Sequence, residues 1–226
     1  MVEFSIPLTV WTPMPPSTDA GWFGQVEQEW SRLRRQDSSL DLEKFFRHVL
    51  SAHKVGFLTP ESLAVIANAF LISPLNGAPY LGRRLLERVN INRHPALRMA
   101  LAISLVTGTG GEADFDTGHA ILVDVSKDES AGDAVRAVAI AAIADSARTG
   151  RGMDADLTLA KKLYSEALEL GWREAAFNLG LYYEGRWGDS VDGDILPDRA
   201  KAIQVYKRGG SNEKCLSRID ALRAAH

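Results

Sequence analysis

Apolar residues return every three or four positions along most of this 226-residue chain, the spacing of one face of an α-helix. Trp22, Val26, Trp30 and Leu33 predict a helix over about 22–36. Asp41 is placed to cap the next helix, whose apolar stripe is Phe45, Phe46, Val49 and Leu50. Thr59-Pro60 reads as another helix start, with proline at the first helical position, where its missing N–H is not needed. From there to the C-terminus the text is Ala-rich, helical in period and punctuated by glycine. The first twenty residues differ. They carry four of the nine prolines, Pro7, Pro13, Pro15 and Pro16, and read as an extended arm. After the arm, HAILVDV (119–125) is the best strand-like run.

Self-similarity then organises the pattern. DLTLAKKLY (156–164) matches DRAKAIQVY (198–206): Asp156 pairs with Asp198, Ala160 with Ala202 and Tyr164 with Tyr206, at one offset of 42. VTGTGGEAD (106–114) matches RTGRGMDAD (148–156): Gly108 pairs with Gly150, Gly110 with Gly152 and Asp114 with Asp156, again at 42. A period near forty holding two helices is that of a helical solenoid. It also turns HAILVDV into a helix. In REAAFNLGLYYEGR (173–186), Ala175, Ala176 and Gly180 sit among Phe177, Leu179, Tyr182 and Tyr183. Glycine weakens a helix by about 0.8–1 kcal/mol relative to alanine. The small face is explained if a second helix lies close against it. Gly150 and Gly152 fall between helices, where a positive φ turns the chain.

These residues resemble the Sel-one-like repeat family, relatives of the tetratricopeptide repeat. The second half of its pattern is matched by Gly150, Gly152, Asp156, Ala160, Leu163-Tyr164, Ala167 and Gly171, and the first half by Ala175, Leu179-Gly180 and Tyr183. Residues 95–125 look like a degenerate copy, through Leu101-Ala102, Gly108, Gly110 and Ala120. Ala147 stands where the third copy should carry its tyrosine, and the fourth copy has an insertion, RWGDSVDGDILP. The resemblance implies an all-α, right-handed α-solenoid of antiparallel helix pairs behind a short extended arm. The organisation expected is an arm (1–20), an N-terminal helical region (21–58), the repeats (59–210) and a C-terminal capping helix (211–226).

Composition and charge add exclusions. Net charge is −3, with 46% hydrophobic and 24% charged residues, so nothing global points to nucleic acid or to an acidic membrane surface. Cys215 is the only cysteine, which rules out an intramolecular disulfide and a multi-cysteine zinc site. No apolar run approaches the ~20 residues of a membrane span. The first residues lack the basic start of a secretory signal, so a cytoplasmic location is expected. VTGTGG lacks the lysine of a phosphate loop. Asp189, Asp192, Asp194 and Asp198 miss the calcium-loop spacing. The five histidines form no metal-ligand pair in sequence. No cofactor and no metal are therefore expected. Residues 81–98 are basic, with Arg83, Arg84, Arg88, Arg93 and Arg98, and residues 112–133 are acidic, with seven carboxylates against Lys127. Such stretches either neutralise each other between repeats or steer a partner.

The resemblance further implies a non-catalytic role in binding another protein, as an adaptor, regulator or immunity-type protein of bacterial origin. In tetratricopeptide-like arrays the first helix of each repeat lines the concave face. By the matched Leu-Gly, that face would hold Glu174, Phe177, Leu181 and Glu184 in the fourth copy, and Ala141, Asp145 and Arg148 in the third. Trp187, just beyond, is a candidate interface anchor. The rival expectation is a hydrolase-like enzyme using carboxylates of 189–198. A monomer or a weak homo-oligomer built through the arm completes the expectations.

Overall fold

The computed structural model describes residues 39–56, 58–187 and 197–224. The arm, the helix expected over 22–36, Asp189, Asp192, Asp194 and His226 lie outside them. The described residues form ten α-helices and one 3-10 turn, and no strand. Contacts divide the chain at Ile121/Leu122 into two compact units.

The first unit holds α1 (Ser39–Lys54), α2 (Pro60–Leu71), α3 (Ala78–Arg88), α4 (Pro95–Thr107) and the start of α5 (Phe115–Lys127). Its core is Phe46, Val49, Leu63, Phe70, Leu85, Leu86 and Leu97, all fully or almost fully buried. Thr59 caps α2 as expected, its Oγ1 accepting from Ser62 N at 3.2 Å ahead of Pro60. The first helix starts two residues before Asp41, which therefore sits inside the first turn. HAILVDV lies within α5.

The second unit holds the end of α5, the 3-10 turn Glu129–Ala131, α6 (Gly132–Thr149), α7 (Leu157–Glu169), α8 (Ala175–Tyr183), α9 (Arg199–Arg208) and α10 (Glu213–Ala224). The tightest packing is α6 on α7 and α8 on α9, the two helix pairs of the third and fourth copies. Three aspartates at the 42-residue period build the turns. Asp114, Asp156 and Asp198 each accept from a backbone N–H three residues ahead, Thr117 at 3.0 Å, Leu159 at 2.8 Å and Lys201 at 2.9 Å. Each also donates its own N–H back to the end of the preceding helix, to Leu105 O at 3.1 Å, Ala147 O at 2.7 Å and Tyr183 O at 2.7 Å. One residue thus starts the second helix of a pair and ties it to the first. Gly150, at φ +67°, takes the left-handed step that ends α6.

The small face of α8 meets Tyr206 of α9. A Cβ on Gly180 would overlap the Tyr206 ring, with Cδ1 and Cζ at 2.5 Å. Ala175, Ala176 and Leu179 are buried beside it. α9 stops at Arg208, just before the Gly209-Gly210 pair. There the Cys215 Sγ fills the space beside Gly209, where an added Cβ would lie 2.6 Å from the sulfur.

Candidate interaction site

In the third copy, Asp145 and Arg148 lie on α6 one turn apart, facing Tyr164 of α7. The Tyr164 hydroxyl donates to Asp145 Oδ1, Arg148 Nε donates to the Tyr164 oxygen at 3.4 Å, and Arg148 Nη2 reaches Asp145 Oδ1 at 3.5 Å. The Asp145 side chain is 15% exposed. Burial pushes its pKa above the ordinary carboxylate value, outweighing the opposite pull of Tyr164 and Arg148.

The fourth copy repeats the theme with different donors. Glu184, at the end of α8, receives the Tyr206 hydroxyl of α9 at 2.5 Å. Arg218 of α10 grips both its oxygens, Nε on Oε1 at 3.0 Å and Nη2 on Oε2. Burial raises the Glu184 pKa, but the Arg218 and Tyr206 hydrogen bonds prevail and hold it below the ordinary value. Loss of water, and the carboxylate each hydroxyl donates to, Asp145 for Tyr164 and Glu184 for Tyr206, push both phenols far up.

Around these groups the exposed side chains differ in kind. Phe177 and Leu181, one turn apart on α8, are half-buried. The Phe177 ring packs on Tyr206 at 6.2 Å between centroids and carries Lys214 Nζ at 5.8 Å. Glu174 precedes the helix and makes no capping hydrogen bond with its side chain. Cys215 is buried, and desolvation with the nearby Glu174 raises its thiol to about 11, which leaves it unreactive at neutral pH. Among the described residues no three His, Cys, Asp or Glu side chains converge to hold a metal ion, and no helix is long and apolar enough to cross a membrane.

Four of the predicted contact residues are placed otherwise than expected. Trp187 is not an open anchor: it is 4% exposed, its Nε1 donates to Asn178 O at 2.7 Å, and its ring packs on Tyr164 and Tyr182. Asp145 and Glu184 are not free acids for a partner, because tyrosine and arginine of this chain already satisfy them. Ala141 is buried in the core. Phe177, Leu181 and Glu174 stay accessible, as does part of Arg148, whose side chain is 19% exposed. The tyrosine halves of both clusters sat in the 42-residue match. Arg218, 34 residues beyond Glu184, gave no sequence signal.

The charged stretches are largely used locally. Arg83 binds Glu87 at 2.9 Å and the Glu112 carbonyl at 2.6 Å. Arg84 lies over Phe46 at 5.1 Å and Tyr80 at 5.3 Å, with Glu43 at 3.7 Å. Asp128 caps the 3-10 turn through Ser130 N, and Asp133 pairs with Arg136 at 3.2 Å.

Helix pairs fastened by a periodic aspartate, with a buried tyrosine laid on a glycine or alanine face, define an all-α helical-repeat architecture. The structural comparison gives that architecture a relative. The chain is similar in structure to a Sel1 repeat protein from Oxalobacter formigenes, with a TM-score of 0.56 over 94% of this chain and 91% of that one, at 17% sequence identity. The Sel-one-like repeat fold expected from sequence is therefore the fold observed. No family profile matches the chain, and no curated protein matches it.

Proposed function

We propose that this chain is a non-catalytic protein-interaction module whose partner docks on the α6 and α8 side of the second unit. The reading rests on the half-buried Phe177–Leu181 pair. Apolar side chains at i and i+4, left partly open and bordered by Glu174 and Lys214, have the make-up of an interface core with a charged rim. Arg148 extends the surface onto α6. Likeness to Sel-one-like repeats supports a scaffold role, and an adaptor, regulator or immunity-type protein of a bacterial cytoplasm is the biological setting we favour.

The test is capture of a partner from native lysate by the full chain and by a Glu174→Arg, Leu181→Arg variant whose circular dichroism and melting temperature match wild type. A stoichiometric protein held by the wild type and lost by the variant supports the reading. A partner that the folded variant holds equally well overturns it.

A further inference from the structure

A second surface of the same unit is built on an aromatic stack. Ring centroids of Tyr164 and Trp187 lie 5.4 Å apart, Trp187 and Tyr182 5.0 Å, and Tyr182 and Tyr183 5.2 Å. Tyr164 and Trp187 are buried while Tyr182 and Tyr183 are half-buried, so the stack leads from the core to solvent. Two ammonium groups from different helices converge on its outer end. Lys161 Nζ of α7 lies 4.8 Å from the Tyr182 centroid and 5.6 Å from that of Tyr183. Lys201 Nζ of α9 lies 4.8 Å from the Tyr183 centroid. Among the described residues neither lysine is paired with a carboxylate.

Each ring attracts its ammonium through the negative π-face. That attraction leaves two like charges around one ring, each with three N–H donors and, among the described residues, no carboxylate within ion-pair distance. A carboxylate brought against either ammonium would accept from it and relieve the repulsion. We propose that Lys161, Lys201 and Tyr183 form a docking site for an acidic segment of a protein partner. Carboxylates of the segment would meet the ammonium groups, and a neighbouring apolar side chain would pack against the half-buried rings of Tyr182 and Tyr183. A protein carboxylate is favoured over a polyanion because the chain's net charge of −3 repels nucleic acid and anionic membrane at long range, while a local basic cradle still accepts one or two carboxylates. The site shares no residue with the Phe177–Leu181 surface, so it goes beyond the function proposed above.

The probe is a fluorescent peptide with a central Leu flanked on both sides by Asp, titrated with the full chain and followed by anisotropy. Saturable binding that weakens as salt rises is expected. The Lys161→Gln, Lys201→Gln double variant should lose about tenfold or more in affinity. The Lys161→Arg, Lys201→Arg pair should keep most of it, and Lys162→Gln, an exposed neighbour on α7, should keep all of it. Equal melting temperatures show that the variants fold. Absence of saturable binding overturns the proposal. So does equal binding of an Asn-for-Asp peptide, or equal loss in Lys162→Gln. Binding that emerges only when Asp189, Asp192 and Asp194 are changed to Asn also overturns it, because the chain's own acids would then hold the lysines. The Leu181→Arg variant should bind the peptide normally, which separates failure here from failure of the α6 and α8 reading.

Discussion

At the scale of single residues, two buried acids with similar partners respond to pH in opposite ways. Ionising Asp145 carries a desolvation cost that Tyr164 and Arg148 do not fully offset. Its native pKa therefore stands above the unfolded value of about 3.9, and stability falls as pH rises between the two. Glu184 is the reverse. The hydrogen bonds of Arg218 and Tyr206 hold its native pKa below the unfolded value of about 4.3, so its contribution is present above that pH and is lost as pH falls through the native pKa. Glu184→Gln should cost roughly 1–3 kcal/mol at neutral pH, the penalty of removing a charged acceptor from buried donors, with the deficit shrinking in acid. Asp145→Asn keeps an acceptor for Tyr164 and removes the charge, so its deficit should be largest in acid and shrink toward neutral pH. Urea unfolding of the two variants across this range checks the signs. Deficits that move in the same direction with pH would show that one of the two acids has been assigned the wrong balance.

At the scale of elements, the contact between α8 and α9 depends on a residue that weakens α8 in isolation. Gly180→Ala adds a better helix former, a gain of up to about 1 kcal/mol. It also drives a Cβ into the Tyr206 ring, which cannot swing away without releasing Glu184 from its hydroxyl. Overpacking of a close contact costs roughly 1–3 kcal/mol, so the variant should be less stable than wild type in denaturant titration. This close approach was legible in sequence because Ala175, Ala176 and Gly180 interrupt an aromatic helix, and the aspartate turns were legible because they recur at one spacing. The site was less so. Trp187 reads as an anchor from its residue type alone, whereas its burial is decided by Tyr164 and Tyr182, which approach it from different helices. Glu184 reads as a free acid because its guanidinium partner arrives from α10, outside the repeat pattern. Periodicity reports which face a residue occupies. It does not report which distant side chain has already claimed it.

At the scale of the whole molecule, the two units have separate cores, one centred on Phe46, Phe70 and Leu85 and the other on Tyr164, Tyr206 and Leu179. In a repeat architecture each helix pair is stabilised mainly by itself and its neighbours, so a local lesion lowers local stability before it lowers that of the chain. Gly180→Ala places its lesion between α8 and α9, and α10 completes the same core through Cys215 and Ile219. Native-state hydrogen exchange on this variant should show protection lost first over α8, α9 and α10, less over α6 and α7, and little over α1 to α4. The gradient follows from the packing order α6 on α7, α7 on α8, α8 on α9 and α9 on α10. Uniform loss of protection across all ten described helices would mean that the two cores unfold as one cooperative unit, and the nearest-neighbour account of this chain would fail.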